Sequence, residues 1–98
     1  MLNINKKREG TTLTVMLEGD LDRSTAADME SDVAKDMQDI TELIFDLEKL
    51  GYISSAGLRA FVKFRKQMDR QGTMTIRNIS KGVQDILDLS GLTQFLIG

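Results

Sequence analysis

The feature that most constrains this chain is the short apolar run Leu43-Ile44-Phe45-Asp46-Leu47, set between two segments whose apolar residues recur at helical spacing. A run this short, interrupted by one acid, predicts a strand buried on both faces between helical crossovers, the central strand of a sheet. On its N-terminal side Ser24-Thr25-Ala26-Ala27-Asp28 supplies cap residues and an early acid, and Ala26, Met29, Val33, Met37 and Ile40 follow at helical spacing. On its C-terminal side the segment Leu50-Gly51-Tyr52-Ile53-Ser54-Ser55 reads as a turn entering a second helix. That helix carries Leu58, Phe61, Val62, Phe64 and Met68 and is ended by Gly72. Arg59, Lys63, Lys66 and Arg70 advance in steps of four, three and four, which places them together on the opposite, exposed face.

The remaining segments complete an α/β pattern. Leu2 and Ile4, then Leu13, Val15 and Leu17 beyond Gly10-Thr11-Thr12, alternate with polar residues as two half-buried strands joined by a turn. Met74 and Ile76 mark a further strand, and Ser80 caps a last helix with Val83, Ile86 and Leu87. Gly91 then precedes a short tail with Leu92, Phe95, Leu96 and Ile97. The expected order is ββαβαβα in a single domain over residues 1–98, with Leu17, Phe45, Leu47, Phe61, Val62 and Leu87 in one core. Strand, helix, strand in succession implies right-handed crossovers and a mixed, mostly parallel sheet packed by helices, whose strand C-terminal ends gather on one edge. Open α/β sheets bind things at that edge. The second strand ends at Gly19-Asp20-Leu21-Asp22 and the third just before Gly51, so an acidic and a hydroxyl-rich segment are expected to meet there.

Cysteine and histidine are both absent, which removes disulfides, thiolate nucleophiles, Cys/His metal sites and every Ser-His or Cys-His catalytic arrangement. The chain therefore reads as a non-enzyme without cofactor or metal. It has no apolar stretch of signal-peptide or membrane-spanning length, which points to the cytoplasm and away from a membrane. The net charge of −2 is unevenly spread: residues 18–48 hold eleven acids against Arg23 and Lys35, and residues 59–70 hold five bases against Asp69. Either both segments are solvated helix faces or they orient docking onto a partner protein. A pI near 5.0 with 5% aromatic residues argues against nucleic acid.

The most informative stretch is Tyr52-Ile53-Ser54-Ser55-Ala56-Gly57-Leu58-Arg59. Each serine offers an N-cap, and the helix start presents unpaired N–H groups and a positive dipole end, so a phosphate on such a serine would be tolerated by the fold. The same residues also suit a plain structural role, with a serine capping the helix and Gly57 allowing close packing. No Gly-x-x-x-x-Gly-Lys run exists for a P-loop, and no histidine can act as base for a serine nucleophile.

At these residues the chain resembles the STAS domain family, and within it the stand-alone anti-sigma factor antagonists. The family's apolar strand ending in an acid matches residues 43–47, and its Asp-Ser-Ser/Thr-Gly-Leu helix start matches Ser54-Ser55-Ala56-Gly57-Leu58. Gly19-Asp20-Leu21-Asp22 with Ser24-Thr25-Ala26 matches the family's Gly-x-Leu-Asp stretch, and the likeness continues through residues 83–92. Ser54 stands where the family usually has Asp, and Ala56 where it has a hydroxyl residue, which makes Ser54 a competing acceptor.

The resemblance implies an antagonist that binds an anti-sigma factor with serine kinase activity, releases a sigma factor, is switched off by phosphorylation of Ser55, and is reset by a serine phosphatase. It implies a contact centre at Ser55 and Leu58, with Asp20, Asp22, Ser54, Gly57 and Arg59 around it and the basic helix face as a second region. Two alternatives stand beside it: a STAS scaffold module not regulated by phosphorylation, and a domain holding a nucleotide or other small ligand at the helix start.

Overall fold

The computed structural model describes residues 1–96. The chain forms β1 (Leu2–Glu9), β2 (Thr12–Leu21), α1 (Arg23–Ala34), β3 (Glu42–Ile53), α2 (Ser55–Gln71), β4 (Thr73–Arg77), α3 (Lys81–Ser90) and the short α4 (Thr93–Leu96). The order is the expected one. Spatially the strands run β1-β2-β3-β4, with β1 antiparallel to β2 and the other two pairs parallel.

Sequence order equals spatial order, and this decides the layering. Both crossovers, through α1 and through α2, step in the same direction across the sheet, so two right-handed connections leave both helices on one face. Leu13, Val15 and Leu17 of β2, Leu43, Phe45 and Leu47 of β3, and Met74 and Ile76 of β4 are buried beneath them. Their alternate neighbours Thr14, Met16, Ile44, Asp46, Thr75 and Arg77 are half-buried or exposed on an open face. The expectation that residues 43–47 are buried on both faces is therefore corrected. Ile44 made the run look continuous, yet it faces outward in register with Thr14 and Thr75. Among the described residues the sheet also lacks the reversal of strand order that creates a ligand crevice in doubly wound folds.

Phe45 lies at the centre of the core, its ring 4.8 Å from Phe61 and 5.7 Å from Phe64 of α2. Leu17, Leu47, Phe61 and Leu87 are buried with it as expected, whereas Val62 sits half-buried at the margin. α1 stops at Ala34 instead of running on to Ile40. Met37 and Ile40 are still buried, but in a turn whose carbonyls accept hydrogen bonds from Gln71 Nε2 at 3.0 and 2.6 Å, with Asp39 left-handed at φ 65°. Lys6 ties β1 to α1 and to the turn after it by ion pairs to Asp32 and Asp36, each at 2.6 Å. The hydrogen bond to Asp32, then that to Asp36, raises the Lys6 pKa.

β3 does not turn before Gly51. It runs on to Ile53, with Gly19 opposite Leu50 after one register shift, and Asp20 opposite Tyr52 and Leu21 opposite Ile53 after a second. Ser80 caps α3 by accepting from the Val83 N–H, and Gly91 ends that helix at φ 77°. Leu96 is buried in α4 while Phe95 is 39% exposed; Ile97 lies outside the described residues.

Candidate functional site

The ends of β2 and β3 carry the chain straight into α1 and α2, so the two helix starts stand side by side. Near the end of β2, Gly19 has a φ of 111°, and a Cβ there would run into the Met1 carbonyl at the start of the neighbouring β1. The register shift beside it sets Asp20 against Tyr52. The link between the two starts is a backbone hydrogen bond, in which Ser54 N–H donates to the Leu21 carbonyl at 2.8 Å.

Asp22 caps α1 in a closed arrangement. Its carboxylate accepts from Thr25 N–H at 2.9 Å and from the Ser24 hydroxyl at 3.1 Å, while its own N–H donates to Thr25 Oγ1 at 2.8 Å. The Thr25 hydroxyl in turn lies 2.9 Å from the Asp20 carbonyl oxygen. These bonds, the one from the Thr25 backbone foremost, hold the Asp22 carboxyl below the usual carboxylate range. Ser54 caps α2 more simply, its Oγ accepting from Gly57 N–H at 3.2 Å while Leu58 N–H closes the first helical bond to the Ser54 carbonyl at 3.0 Å.

The two serines thus divide. Ser54 is half-buried with its hydroxyl committed to the cap. Ser55, the first residue of α2, is exposed, and among the described residues its hydroxyl has no hydrogen-bond partner. Gly57 is buried: a Cβ there would stand 2.8 Å from Leu21 Cδ2 and 2.9 Å from Ile53 Cγ1. Leu58 is also buried, at 6% exposure, so it anchors the helix from below instead of presenting a side chain at the contact centre. Asp20, Asp22, Ser54, Ser55 and Arg59 remain at least partly accessible around the paired starts. Tyr52, 47% exposed beside Asp20, belongs to the same surface and was not singled out from the sequence. The sequence carries no alternation to reveal it, since beyond Leu47 the buried residues of β3 are Leu50 and Ile53, three apart.

The acidic segment is not one surface. Glu30 pairs with Lys63 at 3.2 Å, Asp32 and Asp36 with Lys6, and Asp46 with Arg77 at 3.4 Å on the open sheet face. On α2, Arg59, Lys63, Lys66 and Arg70 are all exposed as expected, and Lys66 and Arg70 border a shallow groove with Lys63, Gln67 and Gln71. A hollow of about 140 Å³ lies on the open face between Asn3, Asn5, Met16 and Asp46 and does not include Ser55. Among the described residues no cluster of His, Cys, Asp or Glu is suited to a metal ion, and no helix is long and apolar enough to cross a membrane.

A one-sided mixed sheet with two parallel crossovers, and an exposed serine opening the second of them, define a class of fold that comparison with known proteins identifies. Residues 3–97 match the model of the STAS domain, and the chain belongs to that family. BtrV of Bordetella bronchiseptica, which carries the name of anti-sigma factor antagonist, is 30% identical over 81 residues, covering 81% of this chain and 70% of BtrV. An anti-sigma factor antagonist from Mycobacterium paratuberculosis shares the fold at a TM-score of 0.87 and 16% identity, over 98% of this chain and 83% of that one. The anti-sigma factor antagonist SpoIIAA in its unphosphorylated form does so at 0.84 and 18% identity, over 98% and 86%.

Proposed function

We propose that this chain is a cytoplasmic anti-sigma factor antagonist. It docks on an anti-sigma factor that is also a serine kinase, frees a sigma factor, and is switched off when Ser55 is phosphorylated. The observation that carries the reading is the exposed, uncommitted Ser55 hydroxyl beside a Ser54 whose hydroxyl is already used in the cap. The names of BtrV and of the structural neighbours support the same role.

In the transfer, Ser55 Oγ forms a bond to the γ-phosphorus of the kinase's ATP, the bond to ADP breaks, and the hydroxyl proton passes to a base of the kinase. The product adds roughly −1.5 to −2 charges at neutral pH, next to Asp20 and Asp22. Repulsion and the desolvation of that charge then oppose docking without any change of fold. A serine phosphatase restores the free hydroxyl by hydrolysis.

The test combines co-purification of the tagged chain from its native cells, with mass spectrometry of partner and phosphosite, and calorimetry of variants with the kinase so identified. Ser55→Ala is expected to bind and to resist phosphorylation, Ser54→Ala to be phosphorylated, and Ser55→Asp to bind at least several-fold more weakly. Full modification of Ser55→Ala but not of Ser54→Ala moves the site to Ser54. If neither serine is modified and Ser55→Asp binds as wild type does, the switch reading fails.

A further inference from the structure

We propose that, once Ser55 carries a phosphate, the Arg59 guanidinium closes onto it, so that the modification withdraws a cation from the docking surface as well as adding an anion. This rests on the reading of Ser55 as the modified residue.

Ser55 opens α2 and Arg59 lies four residues on, so the two share one helix face with Cβ atoms about 5–6 Å apart. Both are exposed. Among the described residues the Arg59 guanidinium makes no ion pair, unlike Lys63, which is held by Glu30, and Arg65, which is held by Asp69. A free hydroxyl therefore stands one turn below a free cation. The order of the charges is the favourable one: an anion placed N-terminal to a cation at this spacing agrees with the helix dipole as well as with the pair. The planar fork of an arginine can meet two phosphate oxygens with two parallel N–H bonds in a fixed geometry, where a lysine ammonium acts as a point charge.

Arg59 is the cation on the same helix as Ser55, one turn away. Leu58 and Gly57 beneath are buried and hold the backbone, so Arg59 reaches the phosphate by side-chain rotation alone. Across the neighbouring strand end, Asp20 and Asp22 bring negative charge, Asp22 is already engaged with Thr25 and Ser24, and the exposed Arg23 belongs to the start of the other helix. In the unmodified protein Arg59 is free to meet an acidic group on the partner. After phosphorylation it is occupied.

The test installs phosphoserine at position 55 of the full chain by codon reassignment, which needs no kinase. Failure of Ser55 to be modified in cells and failure of this contact are then separate results. In a phosphorus NMR titration the second phosphate pKa is expected to lie about 0.3–0.7 unit lower in wild type than in Arg59→Gln, with the gap shrinking near 1 M salt. Lys63→Gln, two turns further along, is expected to match wild type. Coincident curves for wild type and Arg59→Gln overturn the contact, as does an equal shift in Lys63→Gln, which would mark a diffuse field. With the partner in hand, phosphorylation should weaken binding of wild type by a larger factor than binding of Arg59→Gln. Equal factors overturn the withdrawal.

Discussion

The starts of α1 and α2 lie next to one another, joined through Ser54 and Leu21, and they are finished differently. At α1 the third helical residue, Thr25, has a side chain that answers the Asp22 cap, and the box closes on itself. At α2 the equivalent position is Gly57, which has no side chain to answer with, because Leu21 and Ile53 fill the space a Cβ would need. A close contact in the core thus leaves the second helix with a single side-chain cap bond and a serine that has no structural duty. One start is a fastening and the other is a handle.

The largest expected effect removes the ground on which both starts stand. Phe45→Ala empties the centre of the core beneath α2 and should cost about 3–5 kcal/mol in chemical denaturation, much of the stability of a domain this small. A loss below about 1 kcal/mol would show that the rings of Phe61 and Phe64 do not depend on it.

Gly57→Ala tests why the second start is open. The added methyl meets Leu21 and Ile53 at under 3 Å, so overpacking should cost about 1–3 kcal/mol. An unchanged midpoint would mean the glycine is dispensable for packing.

The two caps should then separate by pH. Ser54→Ala is expected to cost about 1 kcal/mol at every pH, since a hydroxyl cap does not titrate in the working range. Asp22 has a folded pKa below its ordinary value of 3.8, so its contribution is fully present above that value and is lost as pH falls through the folded pKa. The stability gap between wild type and Asp22→Ala should be flat near neutrality and close in acid, measured by urea melts. A gap that widens in acid would contradict the capping geometry.

Ser55→Ala is the smallest of the stability effects, within about 0.5 kcal/mol of wild type, because its hydroxyl caps nothing. A larger loss would assign Ser55 a share of the cap and erase the division between the serines.

Much of this arrangement was readable from residue types because the chemistry that sets it is local. Ser80 before Val83, Gly91 after Ser90, and the basic stripe on α2 all announce themselves within one or two helical turns. The meeting of residues 19–22 with residues 51–55 followed from the handedness of crossovers. What spacing could not convey was which partner lies on each side. Met37 and Ile40 keep helical spacing while lying in a turn, since Gln71, thirty-one residues from Ile40, supplies the hydrogen bonds that a helix would have given. Ile44 is as apolar as Leu43, but both crossovers step the same way and leave it uncovered. Leu58 follows the serine motif closely enough to suggest contact with a partner, and only packing shows it turned inward.

The hydrogen bond from Ser54 N–H to the Leu21 carbonyl, with the pairing of Asp20 and Tyr52 beside it, joins the two halves of the site through main chain, and the side chains packed at the joint, Leu21 and Ile53, are buried. Main-chain joints are indifferent to the letters they carry. Asp20, Arg23, Tyr52 and Arg59 can therefore be rewritten without moving the halves apart, much as keys of different cut fit the same blank. A cell that holds several copies of such a domain can keep their circuits insulated by changing a handful of exposed side chains, and an engineer can build new pairs the same way.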